Sequence, residues 1–170
     1  NMELESFLEH NSKRYDVVFL DPARRDAQKN KVFLLEDLSP NILAIQDDLL
    51  NLGRKVVIKL SPLIDISYLL SVLQNVTEIH IVAVKNDVKE ILVIQEKEFQ
   101  VEEIMIKTVN LESEESNFEF GIKALEEASA SFGCNEDYLY IPNNAILKSG
   151  AFNLISSYFN LKKLHPNSHF

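Results

Sequence analysis

Four consecutive apolar residues, Val17-Val18-Phe19-Leu20, run without polar alternation and stop at Asp21-Pro22. This predicts a strand covered on both faces in a parallel sheet, ended by a proline that has no amide hydrogen for the ladder. A polar connector over residues 27–31 leads to Val32-Phe33-Leu34-Leu35, which reads either as a short strand or as part of an active-site loop. Ser39 followed by Pro40 predicts an N-cap with proline at the first helical position. Ile42, Ile45, Leu49 and Leu52 then fall on one helical stripe, and Gly53 supplies the stop. Lys55-Val56-Val57-Ile58-Lys59-Leu60 reads as a second buried strand, ending like the first in a polar turn with proline, Ser61-Pro62. A strand-helix-strand crossover is right-handed and parallel, so both turns are expected at one edge of the sheet. Ligands of open parallel sheets bind outside the carboxyl ends of the strands.

Downstream, Asp65 is placed to cap a helix carrying Ile66, Leu69, Leu70 and Leu73. Residues 78–84 and 90–95 read as an antiparallel hairpin joined by Lys85-Asn86-Asp87-Val88-Lys89. Beyond Gln95 the character changes. Val101, Ile104 and Ile106 suggest another strand, and the acidic residues 112–117 a solvated loop or linker. A helix bearing Ile122, Leu125, Ala128 and Phe132 is expected to end at Gly133, Tyr138-Leu139-Tyr140-Ile141 to form a strand, and Asn143 to cap a helix with Ile146 and Leu147. The tail adds an apolar set, Phe152, Leu154, Ile155, Tyr158 and Phe159. With a boundary near Phe99, the pattern divides into an α/β domain over residues 1–98 and a small α+β region over 99–170.

Composition narrows the chemistry. The 170 residues carry a net charge of -9, which works against nonspecific attachment to phosphates or anionic lipid and leaves Arg24 and Arg25 as the local place for a nucleic-acid contact. The single Cys134 excludes an internal disulfide framework, and neither an 18-residue apolar run nor a secretory leader is present, so a cytoplasmic location is expected. The four glycines, Gly53, Gly121, Gly133 and Gly150, are too scattered for a G-x-G-x-x-G loop.

The candidate site residues therefore cluster at two strand ends. Asp21 either accepts a hydrogen bond from an acceptor group, with the Pro22 carbonyl as a second acceptor, or caps local backbone amides in a plain turn. Arg24 and Arg25 offer bidentate forks for phosphate or carboxylate, or else pair with Asp21, Asp26, Glu36 or Asp37. Lys59, Ser61 and Pro62 either complete the cleft or form a lysine leaving the sheet edge and a serine turn. His165 and His169 are four apart, but Pro166 lies between them and no third ligand is evident, so no metal is expected. His80 reads as a surface-face strand residue and Cys134 as an ordinary free thiol.

Three ordered blocks carry a resemblance. Asp21-Pro22-Ala23-Arg24-Arg25, then Lys59-Leu60-Ser61-Pro62-Leu63-Ile64-Asp65, then Tyr138-Leu139-Tyr140-Ile141-Pro142-Asn143 with Ala145-Ile146-Leu147-Lys148, resemble a bacterial family of class I S-adenosylmethionine-dependent methyltransferases with a THUMP-like C-terminal region. The resemblance extends to Leu164-His165-Pro166-Asn167-Ser168-His169. It implies that residues 1–98 are the second half of a Rossmann-like sheet, parallel strands closing in an antiparallel hairpin, with the glycine-rich cofactor loop upstream. Asp21 and Pro22 would then be the catalytic acceptor-side pair, and Ala23, Arg24, Arg25, Lys59, Ser61 and Pro62 would line the substrate. Ala23 and Arg24 stand where better-known amino-methyltransferases of this type have proline and an aromatic. S-adenosylmethionine is implied as cofactor of the complete protein and RNA as a partner. The isolated chain is expected to be catalytically silent and to dimerise through an exposed sheet edge. The rival expectation is a noncatalytic RNA-binding or protein-interaction module on the same scaffold.

Overall fold

The computed structural model describes residues 4–23, 34–98, 102–134 and 137–169. The chain forms two compact units, Asn1–Ile79 with Glu90–Glu102, and His80–Lys89 with Glu103–Phe170.

The first unit opens with helix α1 (Leu4–His10) and strand β1 (Tyr15–Leu20). A single 3-10 turn, Leu35–Asp37, precedes helix α2 (Ile42–Leu52), strand β2 (Gly53–Leu60) and helix α3 (Ile66–Val72). Strands β3 (Val76–Val84) and β4 (Asp87–Gln95) follow as a hairpin whose root belongs to this unit and whose tip to the second. The strand order is β1-β2-β4-β3. β1 runs parallel to β2, with Tyr15 opposite Gly53 and Leu20 opposite Ile58, and β2 runs antiparallel to β4, with Val56 opposite Gln95 and Leu60 opposite Ile91.

The apolar stripe of α2 explains its packing, since Ile42 and Leu49 are fully buried and the helix lies against β1 and β2. Val56, Ile58, Ile79, Ile91 and Val93 form the core beneath. The helix starts two residues later than the sequence suggests. Asn41, not Ser39, is the N-cap, its side chain accepting from the Ala44 amide at 3.1 Å. Ser39 is occupied elsewhere: its amide and carbonyl pair with Ala23 at 3.1 and 2.8 Å, and the Ser39-Pro40 bond is cis. Gly53 ends α2 as expected, its amide donating to the Leu49 carbonyl, and it has a second role. It is extended, not left-handed, and begins β2; a Cβ there would lie 2.7 Å from Cγ2 of Val18, so glycine is what permits the close approach of β1.

β1 departs from the expectation of burial on both faces. Tyr15, Val17 and Phe19 are exposed, while Val18 and Leu20, pointing the other way, are half-buried. β1 is an edge strand of the described sheet, with α2 packed against it and Phe7 of α1 beside the Tyr15 ring. The hairpin turn is also tighter than expected. Lys85 and Asn86 alone make it, both at positive φ, as a two-residue loop requires, and the strands extend to absorb the rest. Asp65 caps α3 as expected, accepting from the Tyr68 amide at 3.0 Å.

In the second unit, strands β5 (Met105–Leu111) and β6 (Phe118–Gly121) pair antiparallel, so the acidic residues 112–117 are the loop of a hairpin. Helix α4 (Ile122–Glu127) is short and contributes no buried residue; it stops before Phe132, which lies in strand β7 (Ser131–Phe132). Helices α5 (Asn144–Ser149) and α6 (Phe152–Tyr158) lead to strand β8 (Lys162–Lys163), parallel to β7. Asn143 caps α5, accepting from Ile146 at 3.0 Å, and Gly150, at φ 77°, ends it in the left-handed conformation. Residues 138–141 do not form the expected strand, and all four are exposed. Among the described residues no helix is long and apolar enough to cross a membrane.

Because Ile58 is fully buried at the centre of the first unit, Ile58→Ala should cost about 2–5 kcal/mol through lost burial and the cavity left behind. Urea denaturation should show a lower midpoint with an unchanged slope.

Candidate functional site at the carboxyl edge of the first sheet

The register of β1 on β2 builds this site. With Leu20 opposite Ile58, the next residue of each strand is a charge, Asp21 on one and Lys59 on the other. Lys59 Nζ lies 2.5 Å from Asp21 Oδ2, and both side chains remain partly open to solvent. Such a pair contributes at most about 1 kcal/mol, so strand register, not the ion pair, holds the geometry. Asp21 is therefore paired with a cation from the neighbouring strand. Lys59 does not simply snorkel off the edge.

Pro22 is buried directly after Asp21, and Ala23 is fixed by its two hydrogen bonds to Ser39. Ser61 follows the plainer expectation: its Oγ accepts from the Leu63 amide at 3.3 Å and its carbonyl from Ile64 at 3.2 Å, a serine turn with Pro62 half-buried inside it. Arg24 and Arg25 lie outside the described residues. Of the predicted set, the structure brings Asp21 and Lys59 together, flanks them with Pro22 and Ala23, and sets Ser61 and Pro62 in the turn after β2.

Tyr68, which sequence reasoning did not single out, belongs to this end of the unit with Glu36, named there only as a partner for the arginines. The Tyr68 hydroxyl, from the first turn of α3, donates to Glu36 Oε2 at 2.5 Å and accepts from the Leu35 amide at 3.3 Å. Burial, and then the hydrogen bond to Glu36, push the Tyr68 phenol above its ordinary range. The same hydrogen bond holds the Glu36 carboxyl below the usual glutamate range. The available signal was Tyr68 itself, a hydroxyl-bearing ring interrupting the apolar run of α3.

His165 and His169 do not share a helix; both lie in the turn after β8. Cys134 is exposed. Among the described residues no group of three or more His, Cys, Asp or Glu could hold a metal ion.

The class these features define is a mixed α/β protein whose parallel strand pair ends in an acid and a base. Compared with known proteins, the chain is similar over 91% of its length to a crystal structure of a "putative methyltransferase" from Porphyromonas gingivalis W83, with 32% sequence identity and a TM-score of 0.76. The chain spans 38% of that structure's length. Residues 138–170 match a family described as a ferredoxin-like domain. No curated protein matches the chain.

Tyr68→Phe should lower the melting temperature by roughly 1–2 °C near neutrality, a small effect because Glu36 is exposed. A carboxyl held below its unfolded value stabilises above that value and loses its contribution as pH falls through the folded one. A phenol held above its unfolded value stabilises below that value and loses its contribution as pH rises through the folded one. The gap between wild type and variant, followed by thermal denaturation, should thus narrow in acid and again in strong alkali; a constant offset would contradict the assignment.

Proposed function

We propose that the first unit is the acceptor-side half of a Rossmann-like methyltransferase sheet, and that the chain supplies the Asp21-Pro22 turn of an S-adenosylmethionine-dependent methyltransferase. The observation that carries this reading is the Asp21–Lys59 pair at adjacent parallel strand ends, in a chain 32% identical to a crystal structure bearing the methyltransferase name. The strand order β1-β2-β4-β3, with a reversed hairpin after two parallel strands, supports it.

The described residues do not make a cofactor cradle. Of the four glycines, Gly53 is used for packing against Val18 and Gly150 for ending α5, and none stands in a phosphate- or carboxylate-cradling loop. The cofactor's seat is accordingly assigned to polypeptide outside these 170 residues, and no step through the cofactor is derived. When bound there, S-adenosylmethionine would supply an electrophilic methyl group.

What this chain's own residues do is hold the acceptor. Lys59 engages Oδ2 of Asp21, so Oδ1 is offered to an N–H or O–H of the acceptor, with the Pro22 carbonyl as a second acceptor of hydrogen bonds. Arg24 and Arg25 bind an anionic part of the substrate, and Lys59 and Ser61 line the same edge. RNA is the acceptor class we favour, on the sequence resemblance and the two arginines, with the region beyond residue 98 acting as a THUMP-like accessory part and the cytoplasm as location.

Calorimetric titration of S-adenosylmethionine should give binding by the polypeptide extended upstream of Asn1 and none by the 170-residue chain. Binding by neither would favour a noncatalytic module. In the extended protein, Asp21→Ala should lower kcat by roughly 10²- to 10⁴-fold while cofactor affinity stays unchanged; unaltered turnover would remove Asp21 from the site.

The free edge of β1, with exposed Tyr15, Val17 and Phe19, is where an upstream strand would pair. In the 170-residue chain alone we propose that two copies pair these edges across a two-fold axis. Sedimentation velocity should show a concentration-dependent dimer at micromolar protein, weakened by Val17→Lys; a monomer throughout would refute the pairing.

A further inference from the structure

The two strand ends of the first unit are joined by more than their ion pair. Past Lys59, β2 runs into the Ser61 turn, whose hydroxyl and carbonyl accept from the Leu63 and Ile64 amides at 3.3 and 3.2 Å. Ile64 is buried there, and Asp65, next in the chain, caps α3 by accepting from the Tyr68 amide at 3.0 Å. The end of β2 therefore fixes where Tyr68 stands, with only a short, pinned stretch of chain between them.

Tyr68 in turn holds the segment before α2. The 3-10 turn Leu35–Asp37 has no side-chain cap of its own. Leu35 is fully buried, so its amide needs a partner from elsewhere. The Tyr68 hydroxyl accepts from that amide at 3.3 Å and donates to the Glu36 carboxylate at 2.5 Å, gripping two consecutive residues with one oxygen. Leu38, buried just after the turn, carries this hold on to Ser39.

Ser39 passes the hold to the other strand end. Its carbonyl and amide pair with the amide and carbonyl of Ala23 at 2.8 and 3.1 Å. Both residues are exposed, and a pair of exposed backbone hydrogen bonds holds only where one side is already ordered. Tyr68 orders the Ser39 side. From Ala23 the chain leads back through buried Pro22 to Asp21, and Asp21 meets Lys59, where the circuit began.

We propose that Tyr68 is a positioning residue for the Asp21 carboxylate. Its hydroxyl closes a circuit that leaves β2 at Lys59, crosses from α3 to the turn before α2, and returns through Ser39 and Ala23 to Asp21. Tyr68 acts at a distance, through Leu35, Glu36 and Ser39. A closed circuit constrains each member from two sides; with the hydroxyl removed, the Ala23–Ser39 link hangs on the short runs of chain beside it. The catalytic consequence rests on the acceptor-side role proposed for Asp21, whereas the circuit itself does not.

Two variants test it. Tyr68→Phe removes only the hydroxyl, and Ser71→Ala, on the same helix, removes a hydroxyl that donates to the Tyr68 carbonyl at 2.7 Å and lies outside the circuit. In the 170-residue chain, hydrogen exchange at the Ala23 and Ser39 amides should quicken by on the order of 10-fold in Tyr68→Phe and stay as in wild type in Ser71→Ala. In the protein extended upstream of Asn1, Tyr68→Phe should lower kcat by roughly 10- to 100-fold while the KM for S-adenosylmethionine holds. Unchanged exchange at both amides in Tyr68→Phe, or the same quickening in Ser71→Ala, would overturn the positioning role, and so would quickened exchange with an unaltered kcat. If the extended wild type turns nothing over, the methyltransferase reading fails and the exchange comparison alone decides the circuit.

Discussion

Parallel pairing of β1 with β2 is the constraint on which the first unit depends. One residue of slip would exchange the faces of β1, bringing Val17 and Phe19 under α2 and turning Val18 and Leu20 outward. It would also move Asp21 away from Lys59. Two features lock the register. Gly53 opposite Tyr15 lets the backbones approach where any side chain would strike Val18. The Ala23–Ser39 hydrogen bonds then catch the chain just after Pro22, so that the turn leaves the sheet at one fixed place. The weak ion pair reports this geometry; it does not create it.

Much of the first unit was legible because its signals are local and periodic. The stripe of α2, the Asp65 cap and the two apolar runs of β1 and β2 each lie within a dozen residues. What failed needed knowledge of a distant partner. Ser39-Pro40 has the composition of a helix start, but the backbone of Ser39 is spent on Ala23, and Asn41 takes over the cap. Gly53 is the helix stop its position suggests, but its lack of a side chain also matters to a strand far back in the sequence, which no local signal shows.

The candidate site was half legible for the same reason. Asp21 and Lys59 could be named because each ends a recognisable strand, and the parallel crossover rule places strand ends together. Their direct contact follows from register, which no single strand encodes. The Tyr68–Glu36 hydrogen bond was not legible: 32 residues separate the partners, and Glu36 sits in a short irregular turn without periodicity.

The miss at residues 138–141 is of another kind, because there the sequence and the observed conformation disagree within four residues. Aromatic and β-branched side chains gain from a pleated, half-buried surface and not from backbone propensity alone. With no neighbouring strand, extending the backbone leaves its amides to water and its side chains unpacked, so nothing repays the entropy of ordering. β1 shows the complementary case. It has a neighbour on one side, in β2, and so it forms, yet its outer face stays open at Tyr15, Val17 and Phe19. A strand-forming sequence thus becomes a strand where at least one edge is paired, and the apolar surface it leaves uncovered marks where pairing or packing is still to be supplied. Among the described residues β1 and residues 138–141 each show such a surface, and the first lies on the strand that delivers Asp21.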